Sequence, residues 1–173
     1  MNTSKRAQAG QASPGQLPQL ALSLLAVDPV GLGGICLRMG PGPETDEWLA
    51  ALRQAMSENC AWRRLPSNID DDRLLGGLDM AASLSAGRPL IAKGLLNEAD
   101  GGVIVIPMAE RLGRGTAARI AGAIDQGAVL LERDGLTART ETRFCLVALD
   151  EGREDDEGLS EDLQDRLALF LDS

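Results

Sequence analysis

Which side chains could do chemistry is decided first by an absence, because none of the 173 residues is a histidine. Imidazole acid–base catalysis, Ser–His and Cys–His nucleophile pairs and histidine-containing zinc sites are thereby excluded. Cys36, Cys60 and Cys145 lie far apart, which removes the usual cysteine zinc spacings too. Cys36 and Cys145 each sit inside an apolar run, where a free thiol packs as a small hydrophobe. What remains is carboxylates and guanidinium groups. The tightest acidic group, Asp70-Asp71-Asp72, lacks the further oxygen ligands at set offsets that a calcium loop needs. It is better placed to cap the helix that carries Leu74-Leu75 and to favour that helix's positive end.

Two stretches have the layout of a phosphate site without its reactive residues. Ile35 to Met39 reads as a short strand, and Gly40-Pro41-Gly42-Pro43 as a turn. A helix follows from about Glu47 to Ser57, capped by Thr45 or Asp46. Strand, glycine-rich turn and helix is the arrangement that cradles phosphate on backbone N–H groups. That function also needs a Lys for the β/γ-phosphates and a Ser/Thr for Mg²⁺. Here the prolines remove donors, and Glu44, Asp46 and Glu47 repel a triphosphate. An ordinary strand-to-helix turn is therefore the favoured reading. The second stretch is Val103-Ile104-Val105-Ile106, bounded by Gly101-Gly102 and Pro107, a run without alternation that reads as a strand buried on both faces. In nucleotide-hydrolysing P-loop proteins such a central strand ends in carboxylates that hold Mg²⁺ and position water. This one ends in Pro107-Met108.

The scaffold that must position these stretches is legible in outline. Leu17 to Val27 has helical spacing, closed by Asp28-Pro29. Trp62 to Pro66 and Arg88 to Lys93 read as strands, Met80 to Ser85 as a helical turn or two, and Gly115 to Asp125 as a small-residue helix. Val129 to Arg133 and Leu136 to Thr140 flank Asp134-Gly135, a type I′ hairpin signal. Arg143 to Leu149 is another buried-type strand. Leu159 to Leu171 reads as a last helix, with Ser160 as cap and Leu163, Leu167 and Phe170 along one face. Alternating buried strands and helices give an α/β fold with a mainly parallel sheet.

Composition bounds the partners. The chain is 44% hydrophobic with a net charge of −9, and its pI is about 4.5. An acidic balance argues against nucleic acid or an anionic membrane as main partner. No apolar stretch reaches the roughly 20 residues of a membrane span. The acidic run from Asp150 to Asp165 reads as a solvated loop and helix start. Residues 1–16 read as a disordered lead-in and 17–173 as one domain. Cysteine usage fits a reduced, cytoplasmic protein.

The order LPSNIDDDRLLGGLDMAASLSAG, RPLIAKGLLNEADGGVIVIPMAERL, VLLERDGLTARTETRFCLVALDE and LQDRLALFLD closely resembles the AAA+ ATPase-like domain of magnesium chelatase, in particular its D subunits. The likeness runs from about Leu20 to Asp172. It implies a three-layer P-loop/AAA+ type domain with β-hairpin insertions. It also implies a place in the enzyme that inserts Mg²⁺ into protoporphyrin IX at the expense of ATP, beside an ATPase I subunit and a porphyrin-binding H subunit. Residue by residue, Pro107-Met108 stand where the I subunit has its Walker B acids, and Gly40 to Glu47 where it has its phosphate loop. Near the family's polar sensor position stand Asp150 and Glu151, acids in place of Asn. The resemblance thus implies a subunit that binds no nucleotide or metal tightly itself, with ATP and Mg²⁺ acting at the level of the complex. The I-subunit motif that carries the arginine finger matches Leu163-Gln164-Asp165-Arg166-Leu167. Arg166, with Asp165, is then the candidate for acting in trans on a neighbour's ATP site, and Arg143 a second candidate. Three alternatives stay open: Arg166 as a surface or Asp165-paired arginine, a scaffold-only module with no part in any nucleotide site, and an autonomous ATPase with unusual ligands. The family's helical lid, acidic linker and integrin-I-like domain are not matched in these residues.

Overall fold

The computed structural model describes residues 16–133, 136–154 and 157–172. Of the expected lead-in, 1–15 lie outside the described residues, and Gln16 is the N-cap of the first helix. In chain order the elements are α1 (Leu17–Val27), β1 (Gly34–Arg38), α2 (Pro43–Ala55), β2 (Trp62–Arg64), α3 (Asp71–Leu75), β3 (Gly76–Leu78), α4 (Met80–Ala86), β4 (Ile91–Lys93) and α5 (Leu95–Glu98). They continue with β5 (Val103–Ile106), α6 (Arg114–Gln126), β6 (Ala128–Arg133), β7 (Leu136–Glu141), β8 (Cys145–Asp150), α7 (Glu161–Gln164) and β9 (Leu169–Asp172).

Five strands form a parallel sheet in the order β2-β5-β8-β1-β9. Their side chains alternate between two cores because successive residues of a strand face opposite ways. Ile104, Ile106, Leu146, Ala148 and Cys36 pack with Leu74, Leu95, Leu96, Ile120 and Leu163. Val103, Val105, Cys145, Val147, Ile35 and Leu37 pack with Ala21, Leu25, Trp48 and Leu52 of α1 and α2. The three-layer α/β architecture follows, and it explains the unbroken apolar runs of β5 and β8, which are covered on both faces.

Two antiparallel pairs, β3 with β4 and β6 with β7, stand outside this sheet as insertions. The expected Arg88–Lys93 strand is thus β4, and its partner β3 uses the Gly76-Gly77-Leu78 segment that the sequence marked only as an interruption. The turn residues Asp134-Gly135 lie outside the described residues, but the strands on either side pair as a hairpin. Asp70 does cap α3, its carboxylate accepting from the Arg73 N–H at 2.8 Å.

Two expectations are corrected. The helix after the glycine-rich turn begins at Pro43 rather than Glu47, because proline is preformed for the first helical position. Thr45 is therefore inside the first turn, buried, and donates its hydroxyl to the Gly40 carbonyl at 3.1 Å. The last segment is not one helix. Only Glu161–Gln164 is helical, and Leu169–Asp172 becomes β9 on the free edge of β1. Leu169 and Leu171 alternate onto the core while Phe170 stays 53% exposed. An unpaired edge of a buried sheet outweighs a weak helical spacing. Ser160 makes no side-chain cap bond, and its hydroxyl is buried without a partner.

Candidate functional site

A parallel sheet has two unlike ends, and the candidate residues divide between them. At the C-terminal ends of the strands, β1 leads through α2 to β2 on one side, while β8 leads through α7 to β9 on the other. The crevice outside β1 and β8 is therefore a topological switch point, where open α/β sheets place their ligands. Here the chain's own loop lies across it. The Asp150 carboxylate, 4% exposed, accepts from the Gly152 N–H at 2.9 Å and from the Leu159 N–H at 3.1 Å. Arg38 donates through Nη2 to the carbonyls of Glu154 and Glu157 at 2.9 and 3.2 Å. The Glu151 N–H reaches Glu110 Oε2 at 3.0 Å. The remaining cavity is about 290 Å³ and is lined by Asp150, Glu157 and Asp172 against the one cation Arg38.

The strand tips match this picture. After β5, Pro107 ends the ladder and Met108 takes a left-handed conformation, φ 48°, before a 3₁₀ turn over Ala109–Arg111. A non-glycine residue there is uncommon and costs about 1–3 kcal/mol, so the surrounding structure must hold it. In the first turn of α2, Glu44 and Asp46 occupy the positive end of the helix that a phosphate would otherwise use. Among the described residues no group of three or more acids and cysteines could hold a metal ion.

The opposite end of the sheet carries the arginines. Arg143 directly precedes the buried Phe144 that leads into β8. Its N–H donates to Asp100 at 2.9 Å, and its carbonyl accepts from Gly101 at 2.7 Å. Its guanidinium lies over Gly127, the left-handed C-cap of α6, where positive charge suits the helix dipole. Arg166 lies between α7 and β9. Its Nε donates to Asp125 Oδ1 at 2.8 Å and its Nη2 to Asp125 Oδ2 at 2.5 Å. Its Nη1 donates to the Asp162 carbonyl. The hydrogen bond from Arg166 holds the Asp125 carboxyl below its ordinary range, and that same bond raises Arg166. Asp125 and Arg143 also line one cavity of about 310 Å³.

A magnesium-chelatase 60 kDa subunit from Cereibacter sphaeroides is 44% identical over 159 residues, 92% of this chain and 25% of that protein. The chain belongs to the magnesium-chelatase D-subunit family. It spans about a quarter of the length of the curated D-family relatives it matches. Similarity to a magnesium-chelatase 38 kDa subunit, from Rhodobacter capsulatus, is lower, 29% over 185 residues, covering 89% of this chain and 52% of that one. No protein-family model matches the sequence. Among solved structures, a chain of the complex between subunits BchI and BchD of magnesium chelatase superposes with a TM-score of 0.69 at 26% identity. The match covers 90% of this chain and 58% of that chain.

In this member of the D family, then, Arg143 and Arg166 share one end of the sheet, and Pro107, Met108 and Asp150 share the other. Asp165 is exposed at the end of α7, and the fork of Arg166 closes on Asp125 instead. Asp125 is the residue that sequence reasoning missed. It was visible only as the end of a small-residue helix, and no local signal links positions 125 and 166. Among the described residues no helix is long and apolar enough to cross a membrane.

The two buried cysteines, Cys36 and Cys145, are poor nucleophiles. Burial pushes the Cys36 thiol up to about 12, with Asp150 adding to the shift, and burial does the same for Cys145. In the folded protein at pH 8, a thiol reagent is expected to modify the half-buried Cys60 first. Cys36 and Cys145 should react only as fast as the protein unfolds. Three equally fast thiols in a native-state titration would contradict the burial described.

Proposed function

We propose that this chain is a non-hydrolysing AAA+ module of magnesium chelatase. It assembles in the cytoplasm with the I subunit and couples that subunit's ATP hydrolysis to Mg²⁺ insertion into protoporphyrin IX held by the H subunit. It binds no nucleotide or metal tightly itself; ATP and Mg²⁺ act at the level of the complex. Arg166, with Arg143 on the same edge, acts in trans, placing guanidinium charge near the γ-phosphate of a neighbouring site.

The observation that carries this reading is the division between the two ends of the sheet. The end that would hold the chain's own nucleotide is spanned by its loop, tied through Asp150 and Arg38. The guanidinium of Arg166 sits at the other end, with its side chain 26% exposed. A triphosphate entering the first end would meet Asp150, Glu157 and Asp172 and would have to displace backbone partners from Arg38. Family membership supports the enzyme and the I-subunit partner.

The test mixes the full-length protein with a 38 kDa-type ATPase subunit. The expected results are no measurable ATPase or Mg-ATP binding by this protein alone, co-elution of the two with ATP, and an ATPase rate that changes on mixing. Hydrolysis by the isolated protein, or failure to co-elute, would sink the proposal. The scaffold-only alternative has its own support. No residue of α4 is buried, and Met80, Leu84 and Ile91 of that insertion are exposed, Leu84 by 78%. It differs in predicting that Arg166 is dispensable.

A further inference from the structure

Arg166 follows a four-residue helix and precedes an edge strand, and its N–H donates to the Leu163 carbonyl at 3.1 Å, so the backbone fixes where the side chain starts and not where its head group points. An arginine side chain turns about several bonds, and whatever fixes its head group fixes its aim. In this structure that is Asp125, on the last turn of α6. α6 is a firm support: Ala117, Ile120, Ala121 and Ala123 are all buried against the sheet.

We propose that Asp125 is the positioning residue for Arg166: its two carboxylate oxygens take Nε and Nη2 and so set the plane and direction of the guanidinium. With Nη1 also held by the Asp162 carbonyl, three of the five N–H groups are engaged, and one on each terminal nitrogen is left to present outward. This deepens the trans-acting reading of Arg166 and rests on it. Two features show that Asp125 does not serve its own helix. An acid in the last turn faces the negative end of the helix dipole, which disfavours it. The pair is also open to water, with Asp125 50% exposed, and exposed ion pairs contribute little to stability. Fixing a group that must meet a reacting phosphate is what such a pair does well, because a misplacement of about 1 Å can cost on the order of 100-fold in rate.

The experiment uses the full-length protein assembled with a 38 kDa-type ATPase subunit and reads the ATPase rate this protein adds over that subunit alone. Asp125→Ala is expected to lower kcat of that added activity by about 10- to 100-fold, with KM for ATP and co-elution unchanged. Asp125→Asn keeps the shape and one accepting oxygen, and is expected to fall between. The double variant Asp125→Ala/Arg166→Ala should be no slower than Arg166→Ala, since both act through one group. An unchanged or raised kcat in Asp125→Ala, additive losses in the double variant, or a loss that tracks failed co-elution would each overturn the positioning role. Should Asp125→Ala fold poorly by circular dichroism, Asp125→Asn and its double variant with Arg166→Ala decide by the same comparison. A silent Arg166→Ala would instead overturn the reading of Arg166 itself, so the two failures are told apart.

Discussion

On the proposed trans-acting role, alanine at position 166 is expected to remove the ATPase activity that the full-length protein adds on mixing with a 38 kDa-type subunit, with a loss of about 10³-fold or more. That corresponds to about 4 kcal/mol of transition-state stabilisation. The reason is electrostatic. A guanidinium entering from a neighbouring subunit meets charge that develops only as the γ-phosphate departs, so its removal slows the chemical step and leaves ground-state binding of ATP nearly intact. Arg166→Lys should rescue poorly, because an ammonium lacks the planar fork that grips a carboxylate on one edge and offers N–H groups on another. The check is steady-state ATPase and porphyrin metallation in the mixed complex, each compared with co-elution. Unchanged rates with intact assembly would leave the chain as a scaffold. In that case deletion of the β6–β7 hairpin, residues 128–141, should be the change that abolishes assembly.

Alanine at Gly34 is expected to destabilise the domain by about 3 kcal/mol or more, a large part of the 5–15 kcal/mol typical of a whole domain. Gly34 opens β1 with φ 143°, a region that L side chains rarely adopt, and a Cβ there would lie 2.0 Å from the Leu146 carbonyl oxygen of β8. The obstacle is backbone, not a side chain that can turn aside. β1 would have to move away from β8, breaking the register that pairs Ile35 with Val147 and Cys36 with Ala148. A urea midpoint that falls sharply, against a drop of about 1 kcal/mol for Ile104→Val, would bear this out; a midpoint within error of the parent would refute it.

The elements that the sequence announces most clearly are those whose signal is local. α1 runs over the Leu17–Val27 stretch that its spacing gives, and β5 occupies the apolar run between Gly102 and Pro107. The hairpin strands flank Asp134-Gly135 as the turn residues imply. What stayed hidden depends on partners distant in sequence. β9 exists because β1 has an open edge, and four residues carry no period strong enough to show it. The acidic stretch after Asp150 reads as solvated by composition, yet Asp150 is buried and both its oxygens are bonded. At the candidate site, the likeness of the Leu163–Leu167 stretch singled out Arg166 and paired it in expectation with Asp165. The partner in the fold is Asp125, 41 positions earlier, because α6 runs back beside the α7 turn.

The described residues 151–154 and 157–160 bear on what this end of the sheet can do. The residues at the crevice beyond β1 and β8 are engaged in closing it: Asp150 holds two N–H groups, Arg38 two carbonyls, and Pro107-Met108 make a sharp exit from β5. Acids placed at positions 107 and 108 alone would gain no phosphate loop, while Glu44 and Asp46 guard the head of α2. Turnover at this end would require concerted change in three separated segments. Single substitutions at this end of the sheet are therefore expected to leave the chain without turnover of its own.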